Sequence, residues 1–382
     1  MKYSALLGIS GLVLYLSLIP SVYAVTLDAE ISALKKRLTE AEARLEKNEL
    51  TIKQTNVSGY AEMHYNNLDN KKAGASDKKE IDLHRAIIEV EHHFNNKVRA
   101  EIELEVEHAF IEDSGSSKGE LEVEQAFVEF TFDNDSKLKL GQFILPVGLL
   151  NKKHKPTAFY GVERNNVEKN IIPTTWWEAG ALYHYRFSNS LTLDTSITSG
   201  LKTSNASNYA VRSGRQKGSE ANANDLAYLA TVKWKLSDDM NIGASLQHQT
   251  NITQSIDSTA GGANLLITDF NWQPNSGFGL RALYASWGLN GTGPAAVGAA
   301  TQTGYYIEPS YRISSYWGAF ARYSQWDNQA SDTADSVFSQ IDVGVNYWPM
   351  KTVVIKADLQ NQSGPSATDV YTGFNLGVGF YF

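Results

Sequence analysis

The chain contains no cysteine. That absence excludes a disulfide framework and thiolate chemistry, and neither a metal nor another cofactor is expected. Beyond residue 24 no apolar run approaches the roughly 20 residues that a transmembrane helix needs. Positive charge is not in excess either: 34 Lys and Arg face 42 Asp and Glu, a formal net charge of -8, which argues against nucleic acid as a partner. Eight histidines are present, His64, His84, His92, His93, His108, His154, His184 and His248, and none lies in a G-x-S-x-G or other compact catalytic context. An enzyme is therefore not expected. What remains is secretion, the periplasm or a β-barrel. Mean hydropathy is modest, at -0.32, which suits a barrel with a polar lumen. Aromatics make up 11% of the residues, enough to furnish interfacial girdles.

The amino-terminal stretch differs from the rest. Lys2 supplies positive charge, Ala5 to Pro20 is apolar, and Val22-Tyr23-Ala24 is an acceptable small-residue cleavage signal. Residues 1–24 read as a signal peptide. A retained anchor is the alternative, but the apolar stretch is shorter than a span requires. Residues 25–54 form a second region. Ile31, Leu38, Leu45 and Ile52 recur every seven residues, with Leu27, Leu34, Ala41 and Asn48 as a weaker second seam between charged flanks. This heptad predicts a short coiled-coil helix that self-associates. A single amphipathic helix lying on the protein or the membrane is the other reading.

From residue 55 to residue 382 the pattern is that of strands. The last of them, Val370 to Phe382, alternates Phe374, Leu376, Val378, Phe380 and Phe382 with Asn375, Gly377, Gly379 and Tyr381. Such alternation separates two environments. Strands are predicted over about 56–66, 80–94, 97–110, 120–132, 136–144, 177–187, 190–199, 224–236, 239–252, 263–273, 277–289, 302–312, 316–326, 338–348, 351–361 and 370–382. Short and long connections alternate between them. An even number of strands, joined by short turns at one end and long loops at the other, is the requirement of an up-and-down membrane barrel. The expected fold is an all-β transmembrane barrel of sixteen antiparallel strands, preceded by a periplasmic coiled-coil helix. The closing strand is expected to pair with the first strand near Val57–Tyr65, with the terminal Phe382 as an assembly and closure signal.

Strand parity assigns faces. On the third strand Val98, Ala100, Ile102, Leu104 and Val106 face lipid, and Arg99, Glu101, Glu103, Glu105 and Glu107 face the lumen. On the fourth strand Glu122 and Glu124 share parity with the outward Ala126, Val128 and Phe130. That conflict predicts a bulge near Gln125, or a segment standing above the membrane. Arg85, Arg281, Arg322 and Lys356 have lumen parity and extend a basic track from Arg99.

The longest connection, 145–176, follows the fifth strand. A loop of this length is usually functional. It carries Lys152, Lys153, Lys155, Arg164 and Lys169 against Glu163 and Glu168, with His154 between the lysines. It also holds Leu149, Leu150, Phe159, Tyr160, Ile171, Ile172 and Trp176, so it is expected to fold inward and pack on the barrel wall. Folded inward, its cations would narrow the lumen and meet a passing solute. The other reading is a solvated or lipopolysaccharide-facing patch. Glu101, Glu103, Glu105 and Glu107 on the opposite wall would create a transverse field and weaken any preference for one sign.

Val123-Glu-Gln-Ala-Phe-Val-Glu-Phe130, Leu140-Gly-Gln-Phe143, Pro146, Gly148 and Glu163-Arg164 resemble the phosphate-selective porin O and P family. The resemblance covers about residues 25–382, and G-Q-F-x-x-P-x-G is its most specific part. It implies an outer-membrane homotrimer of sixteen-stranded barrels, each with its third loop inside the pore. Phosphate-specific members are implied to use an arginine ladder and a lysine cluster. Lys152, Lys153 and Lys155 could stand for part of that cluster. The ladder here is thin, because Arg85, Arg99, Arg281 and Arg322 are scattered among glutamates. The expected function is a water-filled channel for passive diffusion of small hydrophilic solutes, with a lean towards anions such as phosphate. The alternative is a structural barrel that tethers the outer membrane to the cell wall through the coiled coil.

Overall fold

The computed structural model describes residues 30–44, 54–111, 119–366 and 368–382. The expected signal peptide lies outside the described residues, as do Leu27, Leu45, Asn48 and Ile52 of the heptad. Residues 30–44 form a helix, α1, and every one of its residues is exposed. Ile31, Leu34 and Leu38 make an exposed apolar stripe on it among the described residues. That stripe has the i, i+3, i+7 spacing of one helical face.

The second unit is a closed barrel in which every strand pairs with its neighbours in sequence and β16 closes on β1. Its sixteen strands are β1 (Thr55–Asn70), β2 (Lys78–Asn95), β3 (Val98–Glu107), β4 (Glu120–Thr131), β5 (Ser136–Ile144), β6 (Trp177–Arg186), β7 (Leu191–Thr198), β8 (Ala227–Lys235), β9 (Met240–Gln249), β10 (Ala263–Trp272), β11 (Gly277–Leu289), β12 (Thr301–Arg312), β13 (Trp317–Asp327), β14 (Phe338–Met350), β15 (Val353–Ser363) and β16 (Tyr371–Tyr381). Short helices occupy two of the long loops: α2 (Val167–Asn170) and α3 (Thr292–Ala296). Closure leaves no unpaired sheet edge, which hydrocarbon would not tolerate.

The closing pair runs from Tyr60↔Tyr381 to Asn70↔Tyr371. β16 thus lies further along β1 than expected, because β1 extends four residues beyond the predicted end. Phe374, Leu376, Val378 and Phe380 are exposed on the outer face, and Asn375 is buried on the inner one. The same outward apolar set recurs around the barrel: Ile102, Leu104, Leu246, Leu266, Ile307, Ile341, Val343, Ile355 and Leu359 are all exposed. Phe94, Phe132, Phe187, Trp234, Phe278, Tyr311 and Trp317 are also exposed and cluster near the short turns. An apolar band edged by an aromatic girdle is the outer surface that lipid selects.

β4 carries the bulge. Glu103 faces Gln125 and the next residue, Leu104, faces Val123, so Glu124 is the extra residue. Both Glu124 and Gln125 then turn inward, and Glu122 regains lumen parity while Leu121 and Val123 are exposed outside. One inserted residue settles the conflict of parity, because side-chain direction in a strand has a period of two.

The hydrophobic core lies inside the barrel. Phe143, Leu145, Val147, Val167, Ile171, Ile172 and Trp176 pack with Leu201, Tyr209 and Val211 of the β7–β8 loop and with Leu265, Ile267, Leu283, Ala285 and Trp287 of the wall. Ile171 and Ile172 are fully buried.

Candidate functional site in the lumen

The β5–β6 loop is joined at its base by one side chain. Asn151, fully buried, donates to Leu145 O at 2.8 Å and Trp176 O at 2.9 Å and accepts from Trp176 N at 2.7 Å. A buried amide with its polar atoms satisfied rigidifies the neck of the loop. Above that neck, Glu168 of α2 accepts from Leu150 N at 2.6 Å, Leu149 N at 3.2 Å and the Tyr306 hydroxyl at 3.0 Å. Burial pushes the Glu168 carboxyl up to about 7 against the opposing pull of these donors.

The wall residues of the basic track face inward, and most of them hold the loop. Arg85 is fully buried, pairs with Glu62 at 2.5 Å and donates to His154 O at 2.7 Å. Arg281 donates to Ala158 O at 2.9 Å and lies 3.7 Å from Glu308. Arg322 pairs with Asp342 at 2.9 Å and Glu308 at 3.2 Å, and reaches Tyr160 O at 3.4 Å and Glu163 O at 3.2 Å. Lys356 is buried with its ammonium 3.6 Å from the Phe159 ring centre. Arg99 contacts no loop carbonyl; it joins Glu91, Glu101 and Glu129 at 2.5, 2.6 and 2.9 Å. Asn346 and Asp358 complete the seam, bonding Phe159 O at 3.0 Å and Val162 N at 2.6 Å. Arg85, Arg281 and Arg322 of the scattered basic track are thus struts between carboxylates and the loop backbone, and Arg99 is held by glutamates alone.

The remaining glutamates of the track are engaged too. Gln125 donates to Glu103 at 2.5 Å and to Glu101 at 3.1 Å, and Glu105 lies 4.0 Å from Arg85. Glu103 and Glu105 are buried.

The loop cations divide into three situations. Lys155 pairs with Glu89 at 2.9 Å. Lys152 and Lys153 are exposed to the lumen and make no ion pair among the described residues. The enclosed position of Lys153, and then Arg281, Lys233 and Lys152 nearby, push its ammonium below the ordinary lysine range. Arg164 donates to Thr175 Oγ1 at 2.8 Å, and Lys169 is exposed. Enclosure by the surrounding barrel wall pushes both down; Arg85 adds to the effect at Arg164, and Glu163 opposes it at Lys169.

Two arginines that sequence reasoning did not single out join this last pair. Arg212 of the β7–β8 loop donates to Lys169 O and Thr174 O, each at 2.9 Å, and Arg215 donates to Thr175 O at 2.8 Å. Burial, then repulsion from Arg215 and Arg164, lowers the affinity of Arg212 for its proton, though a guanidinium stays charged at neutral pH. Lys139 and Lys233 were also missed. Lys139 sits 3.9 Å from the Phe127 ring centre and Lys233 pairs with Asp269 at 2.6 Å. Strand parity would have placed both in the lumen.

Two cavities flank the loop. One, of about 450 Å³, opens towards the long loops and is lined by Arg164, Lys169, Arg212, Lys78, His84 and His108, with Asp82, Glu107, Glu163 and Asp369 among its walls. The other, of about 800 Å³, lies at the short turns and is lined by Phe159, Tyr160, Arg281, Arg312, Trp348 and Lys351. Gly161 sits between the two lining segments with φ +82 and its Cα against the Phe320 ring, where a Cβ would meet Phe320 at 3.0 Å. The loop therefore divides the lumen into an outer and an inner vestibule.

A family model described as "Phosphate-selective porin O and P" matches residues 56–363. An uncharacterized protein of Aquifex aeolicus (strain VF5) is 29% identical over 338 residues, covering 80% of this chain and 75% of that protein. Among solved structures, the outer membrane channel DcaP of Acinetobacter baumannii is similar with a TM-score of 0.59 and 13% identity, covering 86% of this chain and 97% of the other. The anion-selective porin from Comamonas acidovorans gives a TM-score of 0.57 and 12% identity over 86% of this chain and 99% of its own. At such identities these structures establish a common fold. The match of the family model over most of the barrel, together with the closed sheet it describes, means that the chain belongs to the phosphate-selective porin O and P family.

Proposed function

We propose that this outer-membrane porin passes small hydrophilic solutes by diffusion and favours anions. The observation that carries this reading is the unequal state of the lumen charges. Most of the lumen glutamates are bound to Arg85, Arg99, Lys155, Lys217 or Gln125. Lys152 and Lys153 have no carboxylate partner among the described residues, and Arg164, Lys169 and Arg212 line the outer vestibule with Arg215 beside Arg212. Unpaired cations at a constriction set ion preference more than paired ones do. Phosphate is one candidate anion. The family name and the anion selectivity of the Comamonas acidovorans porin support the direction. A trimer is the assembly we favour, since OmpT of Vibrio cholerae, of the same fold, has been solved in a trimer form. The exposed stripe of α1, in the periplasm in this reading, would join the copies. Lipid and lipopolysaccharide would surround the outer band. The tethering alternative is set aside, because the family and the charged lumen both favour a channel.

Single-channel current in a planar bilayer under a salt gradient tests this. Discrete conductance steps and a reversal potential of anion-selective sign are expected. A chain that assembles without conducting would remove the channel reading, and a cation-selective potential would remove the anion preference. Phosphate titrated into the same bilayer should reduce the chloride current if phosphate binds at the constriction.

A further inference from the structure

Three histidines from neighbouring strands meet at the wall of the outer vestibule. His64 of β1 stacks on His84 of β2 with ring centres 4.5 Å apart, and His108, just past β3, meets His84 at 5.8 Å. Glu163 reaches in from the loop to 3.1 Å from His64 Nδ1. One ligand atom each from His64, His84 and Glu163 lies within 4.8 Å of the others. Ligands bound to one zinc-like ion at about 2.1 Å stand roughly 3.4 Å apart in a tetrahedral site, so each ligand atom needs to move by less than about 1 Å. The stacked rings of His64 and His84, 16° from parallel, must also tilt for both nitrogens to point at the ion.

The surroundings are those of a prepared site. The other ring nitrogen of His64, Nε2, faces Glu62 at 3.3 Å, and Glu62 is held by Arg85 at 2.5 Å. A carboxylate behind a ligating histidine fixes its tautomer and orientation. His64 is buried, while His84 and Glu163 line the vestibule of about 450 Å³ and give an ion a way in. Imidazole and carboxylate ligands suit zinc, cobalt, nickel and copper, and three protein ligands leave a fourth position for water. Absence of cysteine excludes thiolate sites only, so the expectation of a metal-free chain does not extend to this cluster.

We propose that His64, His84 and Glu163 bind one divalent transition-metal ion in the outer vestibule. The ion would link β1 and β2 to the β5–β6 loop and add positive charge beside Arg164 and Lys169. A second triad, Asp82, His84 and His108, shares His84 and has His108 Nδ1 at 2.8 Å from Asp82. It is less enclosed, with side chains 19 to 37% exposed, and in this assignment it supports His84 from outside.

The test uses the full chain refolded in detergent. Co²⁺ alone is followed by its visible absorption, and Zn²⁺ alone by competition with a chromophoric chelator. One ion per chain is expected. His64→Ala, His84→Ala and Glu163→Gln should each weaken binding at least roughly tenfold, whereas His248→Ala, on a distant strand, should leave it unchanged. Each variant is first checked for heat-modifiable mobility on gels. Glu163→Gln lies off the sheet, so it tests the site even if a strand variant fails to assemble. Absence of stoichiometric binding by the wild type would overturn the proposal. So would unchanged binding in Glu163→Gln, or loss in His108→Ala with retention in His64→Ala. Binding is read without conduction, so its outcome is separate from that of the channel reading.

Discussion

Individual side chains in this lumen are set apart by whether a partner is present. Lys155 has Glu89 and is locally neutral; Lys152 and Lys153 have no such partner among the described residues. A unit charge about 4 Å from a monovalent ion in water is worth about 1 kcal/mol. Reversing both lysines, Lys152→Glu with Lys153→Glu, changes that interaction by up to about 4 kcal/mol before screening by salt. Anion preference should therefore fall by at least roughly tenfold, read as a reversal potential moved towards the cation side at constant salt gradient. Glu168 gives a second expectation. Its folded-state value of about 7 lies above the ordinary 4.5, so the fold favours its protonated form. The stabilisation is complete below pH 4.5, falls as pH rises, and is gone above about 7. Amide exchange at Leu149 and Leu150, corrected for intrinsic rate, should show protection falling through that window. In Glu168→Gln the profile should be flat.

Elements carry their own constraint, which is parity. Most spanning strands alternate cleanly, and their faces could be read from Val98–Val106 or Val353–Leu359 alone. β4 breaks that alternation, a conflict that points to a bulge near Gln125, and Glu124 is the inserted residue. Deleting Glu124 removes the extra residue and leaves Glu122 inward and Leu121 and Val123 outward, whereas deleting Val123 puts either Glu122 or Glu124 on the lipid face. A charged group on the lipid face costs up to about 2–4 kcal/mol at the midplane for Arg or Lys, and less for Glu. Assembly of the Val123 deletion should fall, seen as a smaller heat-modifiable fraction on gels, while the Glu124 deletion assembles. The β5–β6 loop is a different case. Its length, apolar content and cations were legible. Its partners were not, because they come from distant strands, many of them more than a hundred residues away, as in the bond from Arg322 to Tyr160 O. The arginines expected to line a track serve instead as donors to the backbone of that loop, which no local pattern could reveal.

At the scale of the molecule, the barrel and α1 are separate units. Stability of the barrel rests on closure of β1 with β16 and on the core that two loops form inside it. Association in our reading rests on the helix, whose Ile31, Leu34 and Leu38 form an apolar stripe exposed among the described residues. Removing residues 25–53 should leave a folded barrel and loosen the trimer, measured as a lower-mass band on native gels or a shifted sedimentation coefficient. A trimer unchanged by the deletion would assign association to the barrel walls.

The sequence by itself determined the membrane barrel, its sixteen strands, their faces and the one loop long enough to fill the lumen. These are properties of period and length, and a period of two against lipid and water permits one arrangement. Tertiary structure alone decided which charges are free. It brought Arg212 and Arg215 to Arg164, set Arg85, Arg281 and Arg322 on loop carbonyls, and gathered His64, His84 and His108 on one wall. The reason is geometric: closing the sheet brings residues far apart in the chain to the same height in the lumen, and their pairing depends on distances that strand parity does not encode.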